Sequence, residues 1–460
     1  MNATADIDGA ELAARVVDAV ISRAPGTQVE VMVERTDQAL TRFANSAIHQ
    51  NVADESTVVR VRLHRDGRTV TIASNRRGDH VVVDLVDRAL DAARTGPRDA
   101  GWPGLAPPSV IEAPAAAPSP GPPAQRAAAV KAFVDAAGGL ETAGYARSTR
   151  TEVAFANSAG HHAEAVHAWS AVDGIARHTG HDGMARTAAD TLGAIDTAAL
   201  GARAAAKARQ SALPRELPAG RYPVILEPAA AADLLWTLCA HGFNGKAVGQ
   251  RQSFAEVGTA QFDPLVTIVD DAGAQGVTFD ADGTPTRLLV LVDAGITSAL
   301  TFDRRTAAET GASVSSTGHA FVQGPGGPVA TNVTMQPVVR GAGDQAVAPE
   351  FVDPAAAPLL AGVEQALLVS DFWYTRVLDP KALAITGLTR NGVWLVENGA
   401  VTGAVTNLRF TQEYPAALAP GSVHGVGPVA TGFLQAWSQS RLAVPALRLA
   451  SWNFTGGASG

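Results

Sequence analysis

Leu234-Leu235-Trp236-Thr237-Leu238-Cys239-Ala240-His241-Gly242-Phe243-Asn244-Gly245 is the stretch around which this 460-residue chain is organised. A strand-like run, residues 222–226, leads into it through Glu227-Pro228. Proline at the first helical position is pre-set in φ and gives up no N–H that the helix needs. Residues 229–240 contain no breaker, so the sequence predicts a buried helix ending at His241-Gly242. The residues around this helix end are mostly unreactive.

Downstream, the pattern is that of β structure. Residues 264–269, 286–292, 327–337, 365–369, 392–397, 400–405, 406–410 and 446–449 all read as strands. Asn391-Gly392 and Asn398-Gly399 are turn signals, because both residue types accept positive φ. Trp394, Val396, Val401 and Val405 alternate along this segment. The expectation is a large, mostly antiparallel β domain, sandwich-like or barrel-like, carrying one buried helix. Thr317-Gly318-His319 and residues 324–328 form a Gly/Pro-rich loop, expected as an exposed connection. It is not a phosphate loop, since no lysine follows in the required pattern.

Upstream, residues 10–23 place Leu12, Val16 and Val20 on one helical face. Pro25-Gly26 stops that helix. Residues 29–34 alternate as a half-buried strand, and residues 58–64 and 69–73 flank Asp66-Gly67 as a hairpin. Residues 81–94 read as a second amphipathic helix. Nine of the 27 prolines fall within residues 97–123, which predicts a semi-rigid extended spacer and an exposed joint. Residues 124–137 and 197–211 read as further helices. Between them, Phe155-Ala156-Asn157-Ser158-Ala159 repeats Phe43-Ala44-Asn45-Ser46-Ala47 letter for letter. Each copy follows a strand-like run and precedes a hairpin with Asp-Gly expected at its tip, Asp66-Gly67 and Asp182-Gly183. The repeat predicts two related α+β units, with Asn-Ser closing Asx-type turns.

His178-x-x-His181-Asp182 has a metal-like spacing. Residues three apart on a strand point to opposite faces, however, and Asp182-Gly183 is needed for the turn. Exposed hairpin histidines are therefore expected. The fold class is α+β: residues 1–96 form an N-terminal α+β domain, 97–123 a Pro-rich linker, 124–215 a central α+β domain, and 216–460 a β-rich domain holding the helix.

Composition narrows the functions. Hydrophobic residues make up 46% of the chain, enough for sizeable cores, and charged residues 17%. A net charge of −8 and a pI near 5.8, with no Lys/Arg cluster, argue against nucleic-acid binding. A single cysteine excludes an internal disulfide and is consistent with a reducing compartment. No apolar run is long enough to span a membrane, and residues 1–6 lack the basic and apolar segments of a signal peptide. A cytoplasmic location is the default expectation.

In register, Trp236-Thr237-Leu238-Cys239-Ala240-His241 followed by Gly242-Phe243-Asn244-Gly245 resembles the metal-binding helix of the TldD/TldE (PmbA) family of zinc metalloproteases. The catalytic members carry His-Glu-x-x-x-His and then Gly-x-x-Glu-Gly. His241, Gly242 and Gly245 match, whereas Trp236 stands for the first histidine and Thr237 for the general-base glutamate. The family zinc site also takes a cysteine near the C-terminus, and residues 427–445 contain none. The Asn-Ser turns, residues 392–399, 405–411 and 444–449 continue the resemblance over most of the chain.

Catalytic zinc needs about three N, S or O donors plus water, and an indole offers none. The resemblance therefore implies a TldE/PmbA-like, non-catalytic subunit with a degraded motif at Trp236, Thr237, His241, Gly242, Asn244 and Gly245. No metal or catalytic residue is expected on this chain, and zinc is expected in a TldD-like catalytic partner. The implied assembly is a hetero-oligomer, with a homodimer as alternative, enclosing an extended peptide substrate. Two other readings stay open. A self-sufficient metallopeptidase would have to use Cys239 with His241, which lie about 200° apart around the helix axis. A non-enzymatic peptide-binding scaffold is the other, since fold alone does not fix function.

Overall fold

In the computed structural model, residues 8–76, 79–112, 116–321, 327–338, 348–435 and 440–457 are described. The chain begins with α1 (Gly9–Arg23), β1 (Gln28–Ala44), β2 (Ala47–Arg65), β3 (Arg68–Ser74) and α2 (Asp79–Thr95). The second unit repeats the plan with α3 (Pro123–Ala136), β4 (Glu141–Asn157), β5 (His162–His178), β6 (His181–Ala189) and α4 (Thr197–Gln210). Their strands form one six-stranded antiparallel sheet in the order β3-β2-β1-β4-β5-β6. The two units thus meet through their first strands, β1 against β4.

The sequence repeat makes this join. Ser46 Oγ accepts a hydrogen bond from Thr142 N at the start of β4, and Ser158 Oγ accepts one from Val29 N at the start of β1. Each unit's turn therefore ties down the opening strand of the other. Asn45 and Ser46 take φ of 50° and 58°, as a tight hairpin turn requires. Asn157 Oδ1 accepts from Ala159 N and His161 N, which is an Asx-type turn.

Alternation along β1 sorts its side chains. Val29, Val31 and Val33 pack with Val61 and Leu63 under α1 and α2. Phe43 joins Phe133, Leu200 and Ala204 under α3 and α4. Glu30, Met32 and Glu34 occupy the alternate positions and face the C-terminal domain. At the second hairpin the expected tip is corrected. Thr179 and Gly180, with φ of 48° and 83°, make the turn, and His178 pairs directly with His181. Asp182 lies in β6, where Arg177 grips its carboxylate through two hydrogen bonds of 2.6 and 2.8 Å. The two imidazoles therefore sit opposite one another rather than on opposite faces. Among the described residues no group of three His, Cys, Asp or Glu side chains could hold a metal.

Between α2 and α3, residues 97–112 are held against the rest of the molecule by specific contacts, so this part acts as a strap. Asp99 pairs with Arg305 at 2.9 and 2.6 Å, and Trp102 stacks on His64 at 5.2 Å. The Ala106 carbonyl accepts from Asn157 and the Leu105 carbonyl from Arg304, both at 2.8 Å. Prolines remove ladder donors, so the segment is fixed through side chains and carbonyls instead.

The remainder comprises β7 (Gly220–Leu226), α5 (Pro228–Thr237), α6 (Gly245–Gly249), β8 (Ile268–Asp270), β9 (Leu289–Asp293), β10 (Ile296–Thr297), α7 (Arg304–Thr310), β11 (Asn332–Met335), β12 (Gln365–Asp379), β13 (Ala384–Glu397), β14 (Ala400–Ala404), β15 (Leu408–Glu413), α8 (Tyr414–Ala417), β16 (Val423–Leu434) and β17 (Arg441–Gly457). Eleven strands share one mostly antiparallel sheet, and β17-β15-β13-β12-β7 close into a ring because β7 pairs back onto β17. Along β13, Val393 and Leu395 enter the large core that holds α5, whereas Trp394 and Val396 enter a second core behind the sheet. Burial on both faces explains the unbroken apolar run.

Asn398-Gly399 forms the expected hairpin turn with φ of 50° and 78°. Asn391-Gly392 does not turn the chain. It is a bulge inside β13, where pairing with β12 shifts register. β16 and the first half of β13 carry glycines that hid them from strand patterning. No helix among the described residues is long and apolar enough to cross a membrane.

Candidate functional site

α5 starts at Pro228, as expected, behind Glu227. The Glu227 carboxylate accepts from Lys207 and from Asp353 N, which fixes the helix start to α4 and to the loop before β12. The helix widens into a single π turn over Leu238–Gly242, with Phe243 N bonding Leu238 O at 3.0 Å. Such turns recur at functional sites. A Cβ on Gly242 would lie 2.7 Å from the Phe254 ring, and one on Gly245 would lie 2.4 Å from that of Phe302. Asn244 is buried, and its Oδ1 caps α6 by accepting from Lys246 N and Ala247 N at 3.0 and 3.2 Å. These three positions therefore have packing and capping reasons of their own.

Trp236, Thr237 and His241 line a pocket of about 560 Å³ together with Asp233, Tyr374, Arg376 and Phe433. Trp236 is half-buried and the pocket beside it stays open, so the indole neither fills the pocket nor shuts out water. His241 sits on the exposed rim, and its partial enclosure lowers its pKa. Thr237 Oγ1 donates to Asp233 O at 2.8 Å, back into its own helix. Cys239 faces the core instead, where burial pushes its thiol pKa well up. Zinc needs several donors converging on one point. Of the motif positions only His241 presents one to this pocket, so the residues do not fit the metal.

The pocket wall holds charges that sequence reasoning missed. Asp233 Oδ1 accepts from Thr375 Oγ1 at 2.7 Å and Oδ2 from Tyr414 OH at 2.8 Å. Burial raises the Asp233 pKa against these hydrogen bonds and the nearby Arg186. Arg186, from β6, donates to Asp371 Oδ1 at 2.9 Å. Burial, together with Asp173 and Asp233, outweighs that pairing and lifts Asp371 to about 6. Burial works against the charge of Arg186, yet its carboxylate neighbours hold its pKa above the usual value. The one available signal was Asp233 itself, a lone carboxylate in an otherwise apolar helix.

At the mouth, Tyr374 takes φ of 56° inside β12, a strained conformation for a bulky residue. Trp373 and Tyr374 are 52% and 64% exposed, large for aromatic side chains. Arg390 stacks over Trp373 at 4.4 Å and Arg376 over Tyr374 at 4.3 Å. The geometry offers a ligand aromatic faces and a wall that carries Asp233, Arg186 and Arg376.

The Gly/Pro-rich loop is also corrected. Thr317 and His319 are buried, and residues 322–326 lie outside the described residues.

Residues 219–456 match the family model described as the PmbA/TldA metallopeptidase C-terminal domain. No curated protein matches the chain. TldE from Thermococcus kodakarensis is similar in structure, with a TM-score of 0.81 at 16% identity, covering 97% of this chain and 100% of that one. A candidate modulator of DNA gyrase from Thermotoga maritima aligns with a TM-score of 0.78 at 17% identity, over 96% of this chain and 100% of that one. A similarly described protein from Bacteroides thetaiotaomicron gives 0.76 at 17% identity, over 97% and 98%. At these identities the likeness establishes the fold.

Proposed function

We propose that this chain, which belongs to the PmbA/TldA metallopeptidase family, is the non-catalytic, TldE-like subunit of a zinc peptidase whose metal is held by a TldD-like partner. The observation that carries the reading is that the motif helix and its pocket persist while the donors do not. Trp236 and Thr237 occupy the ligand and general-base positions, and neither side chain can take over that chemistry. With threonine in the Thr237 position, the helix lacks the general-base carboxylate that the catalytic members carry there.

What remains suits binding. The pocket is about 560 Å³, with exposed aromatic residues at its mouth and strand edges nearby. An extended peptide could lay its backbone along such an edge and place side chains on Trp373 and Tyr374. The subunit would then shape the peptide cleft and set which segments enter. A cytoplasmic location belongs to the same reading.

Elemental analysis of the isolated chain should find well under one zinc per molecule. Coexpression with a TldD-like protein should yield a complex that cleaves unfolded peptides faster than that partner alone. One tightly held zinc on the isolated chain, or peptide cleavage by it alone, would overturn the assignment.

A further inference from the structure

A second pocket, of about 190 Å³, lies between the six-stranded sheet and the C-terminal domain. Its floor is the sheet face opposite the helices: Glu34 from β1, Val153 from β4, and His167 and Trp169 from β5. Phe279 and His319 close it from the other side. No part of the degraded motif touches it.

Several polar atoms here are buried and lack a partner among the described residues. Trp169 is 2% exposed, and its Nε1, which can only donate, bonds nothing. The Nδ1 of His167, two residues earlier on the same face of β5, is likewise unpartnered. His319 is 4% exposed, and its Nδ1 is engaged with Thr317. Its Nε2 has no hydrogen bond, lying 3.6 Å from Asp270 Oδ2. Buried polar groups are nearly always satisfied, so three unpartnered nitrogens around one cavity call for an occupant.

We infer that this pocket binds a small uncharged ligand of about ten non-hydrogen atoms, with an aromatic or alicyclic body and a carbonyl-type acceptor for the Trp169 N–H. The size follows from the volume, since a cavity of about 150 Å³ admits benzene. The apolar body is matched by Val153 and Phe279, and the acceptor by an indole N–H that no described residue satisfies. The uncharged character follows from the surroundings. Burial, aided by Arg441, drives His167 down to about 4. Burial raises Glu34 and, with Asp282 adding to the effect, raises Asp280 well above the usual carboxylate range. Arg441, also in the lining, is already paired with Asp190 at 2.5 Å, and a charged guest buried here without a partner is costly.

Benzamide is the test ligand, with benzoate and benzylamine as charged counterparts of similar shape. Thermal-shift titrations on the full chain should show benzamide stabilising the fold with a Kd in roughly the millimolar range for so small a ligand, and the charged pair at least tenfold weaker. Trp169→Phe removes the donor and should weaken benzamide about tenfold, the effect of one buried hydrogen bond. Val277→Phe fills the pocket from its half-buried rim and should abolish the shift. The ligand-free melting temperature of each variant is recorded alongside, so that misfolding is separated from lost binding. Three outcomes overturn the inference: no benzamide binding, which leaves the cavity to water alone, equal binding of benzoate, or undiminished binding by the two variants.

Discussion

Glu30 is placed so that its ionisation opposes the fold. It sits on the sheet face that meets the C-terminal domain, 4% exposed, and shares one guanidinium with a competitor. Arg62 contacts both Glu30 and, at 2.5 Å, Asp282 of the C-terminal domain. One cation between two buried carboxylates satisfies neither fully. Burial therefore wins over Arg62 and raises Glu30 from its ordinary 4.5 to about 8.

The sign follows from proton counting. Between those values the native state holds a proton that the unfolded state has released, so stability is greatest below about 4.5 and is lost as pH rises through 8. At about 1.4 kcal/mol for each tenfold change in proton affinity, the loss is capped near 5 kcal/mol, and relaxation brings it to roughly 2–4 kcal/mol. Glu30→Gln keeps the shape and removes the titration. Urea unfolding of wild type and variant from pH 5 to 8.5 should show the gap shifting towards the variant by that amount. Parallel stability curves across the range would refute the reasoning, because the other titrating groups are common to both proteins.

Trp236→Ala should lower stability by about 1–2 kcal/mol, less than the roughly 3–5 of a fully buried tryptophan, because the indole is half-buried at the pocket wall; urea titration measures it, and a loss above 4 kcal/mol would contradict the open pocket. Trp236→His with Thr237→Glu should still bind zinc weakly, as elemental analysis can check, since it restores at most two imidazoles and no further ligand. Lys207→Met should destabilise by about 3–5 kcal/mol, because it leaves the Glu227 carboxylate buried without its cation, and adding Glu227→Gln should recover part of that loss.

The features legible in the sequence were those fixed within a few residues. Proline at N1 located the start of α5, and glycine or asparagine at positive φ located the turns at residues 66–67 and 398–399. The five-residue echo announced two like units. That Trp236 offers a metal no lone pair and Thr237 only a hydroxyl is likewise a property of the residues themselves, whatever surrounds them.

The places where local reading failed show what it lacks. Asn391-Gly392 has the chemistry of a turn, but β12 on one side holds the chain in line, and the extra residue becomes a bulge. Thr179-Gly180 took the turn from Asp182-Gly183, while Asp182 paired with Arg177. The Gly/Pro-rich loop was expected outside, yet His319 lies under the sheet that residues 28–189 build.

Only the tertiary structure decided that the two units share one sheet, that β7 closes a ring on β17, and that Arg186 and Asp233 line one pocket with Asp371 and Tyr414 bonded behind them. Those four side chains come from β6, α5, β12 and α8, up to 228 positions apart, and no sequence spacing encodes that meeting. Their protonation was equally out of reach of the sequence. An aspartate's pKa depends on how much water the fold removes and which cations it leaves nearby, and both are set by strands that pair across the length of the chain.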